Sequence, residues 1–315
     1  MTSTATAEVQ QESVPRDHDG GDLPRGGVVV GYDGSSAAVE AVTWAAAEAR
    51  ALGAPLTVLH AVDFHGTSAE LLRDLSIHDL EAQVAAQARR IAEEGARIAR
   101  DGAPTPVQAV SRLVSPVDAL VEASRRAALV VVGNRGRGTL RAALLGSVAF
   151  GTSARASSPV LVLRRGTART PDADHPVVVG ADGSPSAERA LDVAADLAAR
   201  TGAVLQPITA WTVPPVGPYG AVSELYAPEL HALAGAASAA ATERARQRHP
   251  DLVVDARVVQ DQPVRALGAA SQGAGRVVVG SQGHGRVLGA VLGSVSQGAV
   301  HACACPVEVV RPDPV

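Results

Sequence analysis

Gly133, Gly136, Gly146 and Ser147 stand at the spacing Gly-x2-Gly-x9-Gly-Ser, and the same spacing returns at Gly280, Gly283, Gly293 and Ser294. Each set follows directly on a run of valines. Glycine at the exit of a strand permits positive φ and lets backbone amides approach a ligand with no Cβ in the way. A helix that opens on Gly-Ser presents free N–H groups, a favourable dipole and a hydroxyl, a combination suited to a phosphate. Each copy thus offers two anion-binding elements flanking one bridge. Turn glycines would account for a single such spacing, whereas two copies with one count favour a ligand.

Other phosphate chemistries do not fit. The dinucleotide fingerprint needs GxGxxG after a first strand, and the P-loop ends in Gly-Lys-Ser/Thr. The chain contains no lysine, which removes a Walker lysine, a Schiff-base lysine and a kinase strand lysine together. Net charge is −4 with no basic block, and aromatic residues make up 2%, so nucleic acid is not expected as a partner. The longest apolar runs are strand-sized, and no basic region followed by a hydrophobic stretch opens the chain, so neither a membrane span nor an export signal is expected. Cys303 and Cys305 are one residue apart and poorly placed to bridge each other. A reducing, cytoplasmic setting fits these features.

The elements that must position the glycines can be read in order. Residues 1–26 are polar and charged and are expected to be a disordered tail. GVVVGYDGSS predicts a first strand ending at Gly31, with Asp33 in the turn and Ser35 or Ser36 capping a helix to about Leu52. PLTVLHAV is a second strand, followed by a polar stretch with His65 and Gly66 and a long helix over about 69–101, stopped by Asp101 and Gly102. TPVQAVSR is a third strand, Pro116 opens the next helix, ALVVVG is a fourth strand, and SPVLVLRR after the helix from Ser147 is a fifth. Alternating strands and helices predict a parallel, doubly wound α/β sheet with its ligand beyond the carboxyl ends of the strands. The loops after strands one and four meet there.

The pattern then restarts. After a linker at 165–175, PVVVGADGSPSAERA matches GVVVGYDGSSAAVEA, AVLQPITAW matches PLTVLHAVD, and CPVEVV matches SPVLVL. Asp182 thereby corresponds to Asp33, and Ala210 to Ala61. Two domains follow, 27–164 and 176–315, each large enough for its own core. The segment after Trp211, with PPVGP, is either a lid or a surface loop. The fifth strands, LVLRR and VEVVR, read as apolar edge strands through which the two halves pack together.

With Asp at the end of the first strand, Gly-x2-Gly-x9-Gly-Ser after the fourth and a closing Pro-Val strand, the sequence resembles the universal stress protein family in its tandem, ATP-binding form. The resemblance covers essentially everything after the tail. It implies two Rossmann-like five-stranded sheets of order 3-2-1-4-5, one nucleotide in each domain, and a role as a stress-response regulator or sensor. By the same resemblance Asp33 and Asp182 contact the ribose or adenine side, and Ala61 and Ala210 touch adenine through backbone. Gly133, Gly136, Gly146, Ser147 and Val148 hold phosphates in the first copy, as do Gly280, Gly283, Gly293, Ser294, Val295 and Ser296 in the second. Mg2+ sits on the phosphates rather than in a protein cage. A homodimer of the whole chain is a further expectation.

The two copies differ in detail. Where family members often carry a second hydroxyl two residues after the serine, the second copy has Ser296 and the first has Ala149. The first instead has Arg135 and Arg137 in its loop, and the second His284 and Arg286. Asp-Gly is also a good turn former, so each Asp has a purely structural reading beside the ligand one. His60 is read as a satisfied strand-end histidine, since its counterpart is Thr209. Cys303 and Cys305 are read as small residues, since Ala156 and Ser158 occupy their places in the first copy. No catalytic residue and no protein metal site is assigned. A slow ATPase or phosphotransferase, or a nucleotide-free scaffold of the same fold, are the competing readings.

Overall fold

A computed structural model describes residues 23–64, 77–102, 105–134, 136, 146–164, 166, 169–213, 221–283 and 292–312. Most of the tail, His65, Gly66, Arg135, Arg137, the PPVGP segment, His284 and Arg286 lie outside the described residues.

The first half runs β1 Val28–Gly31, α1 Ser36–Leu52, β2 Leu56–Ala61, α2 Ile77–Gly102, β3 Val107–Arg112, α3 Pro116–Ser124, β4 Leu129–Gly133, α4 Ser147–Arg155 and β5 Val160–Leu163. The second half repeats it with β6 Val177–Gly180, α5 Pro185–Thr201, β7 Leu205–Trp211, α6 Ala221–Arg248, β8 Arg257–Gln260, α7 Pro263–Ala270, β9 Arg276–Gly280, α8 Ser294–Ala302 and β10 Val307–Val310.

Local chemistry explains the element ends. Ser35 accepts a hydrogen bond from the Ala38 amide at 3.2 Å and starts α1, and Gly53 in the left-handed region at φ 61° ends it. Ser184 and Gly202 do the same for α5. Between these caps α1 buries Ala38, Ala41, Val42, Ala45, Ala46 and Ala49, a stripe at helical spacing whose small side chains let the helix lie close on the sheet. The α2 helix continues through Gly102, so Asp101 and Gly102 form its last turn instead of stopping it.

Within each half the strands are parallel, in the expected order: β3-β2-β1-β4-β5 and β8-β7-β6-β9-β10. The two sheets are one. Antiparallel pairing of β5 with β10, with Glu308 opposite Leu161, joins them into a ten-stranded sheet. An apolar strand that would be an exposed edge in either half is thereby covered.

Valines of the central strands alternate between two layers. Val28 and Val30 face α1 and α2, while Val29 faces α3 and α4. On the α3 and α4 side one core runs across both halves, including Val130, Val162, Val277, Val309 and Ala299. On the other side each half keeps its own core, under α1 and α2 or under α5 and α6. Burying each such valine contributes roughly 1.5–3 kcal/mol. The sheet is thus a rigid base whose carboxyl ends carry the loops.

Candidate functional site

The loop after β1 is an Asp-Gly turn. Asp33 Oδ1 accepts from the Ser35 amide at 2.9 Å, and Gly34 takes φ 78°, which a side chain would resist. In the second half Asp182 Oδ1 accepts from the Ser184 amide at 2.9 Å, and Gly183 takes φ 78°. The turn reading of these aspartates is therefore correct for one carboxylate oxygen.

The other oxygen points elsewhere. A Cβ placed on Gly136 would lie 2.5 Å from Asp33 Oδ2, and one on Gly283 would lie 3.0 Å from Asp182 Oδ2. The loops after the first and fourth strands of each half therefore converge, and the second glycine of the motif is where the carboxylate comes closest. Any side chain there would displace the aspartate.

The first glycine serves a different contact. A Cβ on Gly133 would meet the Ala37 backbone at 3.3 Å, and one on Gly280 would meet the Ser186 carbonyl carbon at 2.7 Å and the Ala187 nitrogen at 2.9 Å. Gly133 and Gly280 allow the first turn of α1 or α5 to pack on the strand exit. In the second half Ser186 Oγ also donates to the Gln282 carbonyl, tying that glycine loop to α5. Ala37 occupies the place of Ser186 in the first half, so that tie has no equivalent there.

The third glycine and the serine open a helix as expected. The Gly146 amide donates to the Asn134 carbonyl at 2.9 Å, and the Gly293 amide donates to the Ser281 carbonyl at 2.8 Å, closing each loop on its own start. Both α4 and α8 begin without a side-chain cap and without an acidic residue in the first turn. The contrast with the serine-capped α1 and α5 is chemical. The first amides of α4 and α8 carry the helix-end partial positive charge, and their N-cap glycines have no side chain to satisfy them. Ser147 and Ser294 are exposed at these ends, and Val148 and Val295 are half-buried against the shared core.

Ser296 is placed differently from the other motif residues. It is 2% exposed, and its hydroxyl donates to the Gly280 carbonyl at 2.6 Å. It braces the strand exit from below. Ala149 fills the equivalent buried place in the first half.

Ala61 and Ala210 lie at the carboxyl ends of β2 and β7 beside these loops. His60 is a strand-end histidine with a partner, since Nδ1 lies 2.7 Å from the Tyr32 carbonyl and must therefore be the protonated nitrogen. Thr209 Oγ1 donates to the Ala181 carbonyl at 2.9 Å. Two dissimilar side chains thus fix the same carbonyl, the one immediately before the aspartate. Neither residue type signals this shared role in the sequence.

Cys303 and Cys305 are buried, unbridged thiols. Burial pushes Cys303 up to about 11, and burial together with the neighbouring Cys303 pushes Cys305 up to about 12. Among the described residues no group of three or more His, Cys, Asp or Glu side chains converges as a metal site.

Comparison with known proteins agrees with the fold. The profile of the Universal stress protein family matches residues 26–164 and again 175–311. A universal stress protein of Mycobacterium tuberculosis is 38% identical over 296 residues, covering 90% of this chain and 97% of the relative. One of Mycolicibacterium smegmatis is 35% identical over 302 residues, covering 91% and 97%. Among solved structures, a universal stress protein from Archaeoglobus fulgidus superposes with a TM-score of 0.64 at 19% identity, over 93% of this chain and 99% of that one. That last likeness is one of fold.

Proposed function

This chain belongs to the universal stress protein family, and we propose that each half binds ATP in the frame described above, making the chain a nucleotide-dependent regulator or sensor of a cytoplasmic stress response. The observation that carries the reading is the repeated meeting of aspartate and glycine loop beside an uncapped helix end. In both halves one carboxylate oxygen holds the turn and the other faces the glycine loop. A ribose hydroxyl can donate to such an oxygen, while phosphate oxygens take the amides of the loop and of α4 or α8. Adenine lies toward the backbone of Ala61 or Ala210. Mg2+ enters on the phosphate oxygens, in keeping with its preference for substrate ligands.

Ser296 has a supporting part in this reading. With its proton on the Gly280 carbonyl, it positions the strand exit from which the phosphate loop departs. Asp33 and Asp182 likewise act as positioning carboxylates, each anchored through one oxygen to a turn amide.

The test is calorimetric titration with ATP and Mg2+ of the native chain, Gly136→Val and Gly283→Val, with phosphate release followed in parallel. Each valine is expected to weaken the site of its own half by about tenfold or more, equivalent to about 1.4 kcal/mol, and to leave the other half unchanged. Native affinity in both variants would overturn the proposal. Turnover well above a protein-free control, abolished by Asp33→Ala with Asp182→Ala, would replace binding with catalysis.

A further inference from the structure

The seam between the halves carries a buried ionic cluster. Arg276 at the start of β9 is 1% exposed; its Nη1 donates to Glu308 Oε2 of β10 at 3.0 Å, and its Nη2 donates to Glu48 Oε1 of α1, in the other half. Trp44 of α1 covers the guanidinium at 5.7 Å from the ring centroid, and Arg200 reaches Glu48 Oε2 at 3.9 Å. A charge cluster at the centre of a valine sheet is costly and weak evidence for stability. Specificity is the better account of it.

The internal repeat shows what the cluster specifies. Matching the halves residue by residue places Leu129 at the position of Arg276, Leu161 at that of Glu308 and Leu197 at that of Glu48. All three are buried leucines. Each of the three charged residues is therefore present only once, and the seam has two unlike sides. Glu308 stands directly opposite Leu161 across β5 and β10, so this pair sits on the pseudo-twofold axis.

We infer that Glu48, Arg276 and Glu308 make the seam heterotypic, so that each half accepts the other half and rejects a second copy of itself. Two first halves paired in this geometry would set Glu48 against Leu129, leaving a buried carboxylate without its cation. Two second halves would set Glu308 directly opposite Glu308 and give Arg276 a leucine in place of Glu48. Only the mixed pair brings Glu48 and Arg276 together. The partner this surface fits is the complementary half of the chain, and it keeps the two candidate sites in a fixed relation on one sheet.

A cysteine on the axis tests the inference in the full chain, because only there does a residue meet its own copy in a like-with-like pair. The thiol introduced by Leu161→Cys faces Glu308 in the native pairing and the same thiol of a second chain in the homotypic one, at a strand separation that suits a disulfide. The variant, with Cys303→Ala and Cys305→Ser so that it holds a single thiol, is refolded under oxidising conditions and examined without reductant, alone and combined with Glu48→Leu, Arg276→Leu and Glu308→Leu. Disulfide-linked dimers are expected with the cluster removed and absent with it present. Dimers in both backgrounds, or in neither, would overturn the inference. If the leucine combination does not fold, Glu48→Gln with Glu308→Gln keeps the shape and the bonds to Arg276 while removing both negative charges. Cross-linking is then expected above that of Leu161→Cys alone, and no increase would again overturn it.

Discussion

The two halves share one frame of aspartate and glycines and differ in how it is fastened. Asp33 with Gly136 and Asp182 with Gly283 have nearly the same geometry, down to the 2.9 Å turn bond and the φ of 78°. Around them the fastenings diverge. His60 holds the carbonyl that Thr209 holds in the other half, the ring of Tyr32 stands where Ala181 does, and Ser186 and Ser296 add bonds that Ala37 and Ala149 do not. What is repeated despite this drift is the frame that the proposed nucleotide would touch, whereas the supports vary because several side chains can hold one carbonyl. The second glycine loop is held by side-chain bonds from Ser186 and Ser296 that the first lacks.

The largest expected effect is at the seam, where the halves differ most. Arg276→Leu takes from Glu48 and Glu308 the cation they share, leaving only Arg200 at 3.9 Å from Glu48, and is expected to cost about 3–5 kcal/mol of stability in denaturant unfolding. Leu129→Arg, the reverse change in the first half, buries a cation where leucines stand at the positions of its two carboxylate partners and should cost stability as well. Equal tolerance of both would mean that the two sides of the seam are not distinct.

A smaller difference is expected at the strand exits. Gly280→Ala drives a Cβ into backbone at 2.7–2.9 Å, while Gly133→Ala meets Ala37 at 3.3 Å. The first should cost about 1–3 kcal/mol, as overpacking against backbone does, and the second distinctly less. Thermal unfolding of the two variants side by side checks the ordering, and a larger loss for Gly133→Ala would reverse it.

The cysteines should show the smallest contrast, because they occupy the places of Ala156 and Ser158 and are buried as those are. With the thiols held near 11 and 12, the thiolate fraction at pH 8 is about one in a thousand or lower, since each pH unit below the pKa costs a factor of about ten. Reaction with a thiol reagent should be negligible in the folded chain and prompt after denaturation. It should rise as the pH climbs toward 11. Prompt labelling of the native chain at pH 8 would show that the thiols are reachable.

How much of this is legible beforehand follows from the range of each interaction. The glycine spacing and the capping serines are local or repeated patterns, and a repeat reports geometry because both copies must satisfy it; the strand order is available only through the family resemblance. The approach of Asp33 to Gly136 can be expected only from the topology, since nothing near either residue announces the other. The bond from Ser186 to Gln282 and the shared carbonyl of His60 and Thr209 lie below that resolution, because serine, threonine and histidine have many ordinary reasons to appear. The seam cluster is absent from the sequence reading altogether. Arg276 and Glu308 sit in valine-rich strands that read as apolar, their partner Glu48 is 228 residues from Arg276, and no periodic pattern spans that distance. The one available sign is a charge inside a strand otherwise suited to full burial.

The central claim is that each half holds a nucleotide through the same frame. It is tested most directly by denaturing the purified chain, removing the precipitate, and identifying and counting nucleotide in the supernatant, with thermal unfolding in excess ATP and Mg2+ as the companion measurement for sites emptied on purification. The account predicts one ATP for each half, or, for emptied sites, a stabilisation of about 2.7 kcal/mol at about a hundredfold excess over Kd, lost half by half in Gly136→Val and Gly283→Val. A chain that carries no nucleotide and shows no shift in unfolding temperature with ATP and Mg2+ would contradict it.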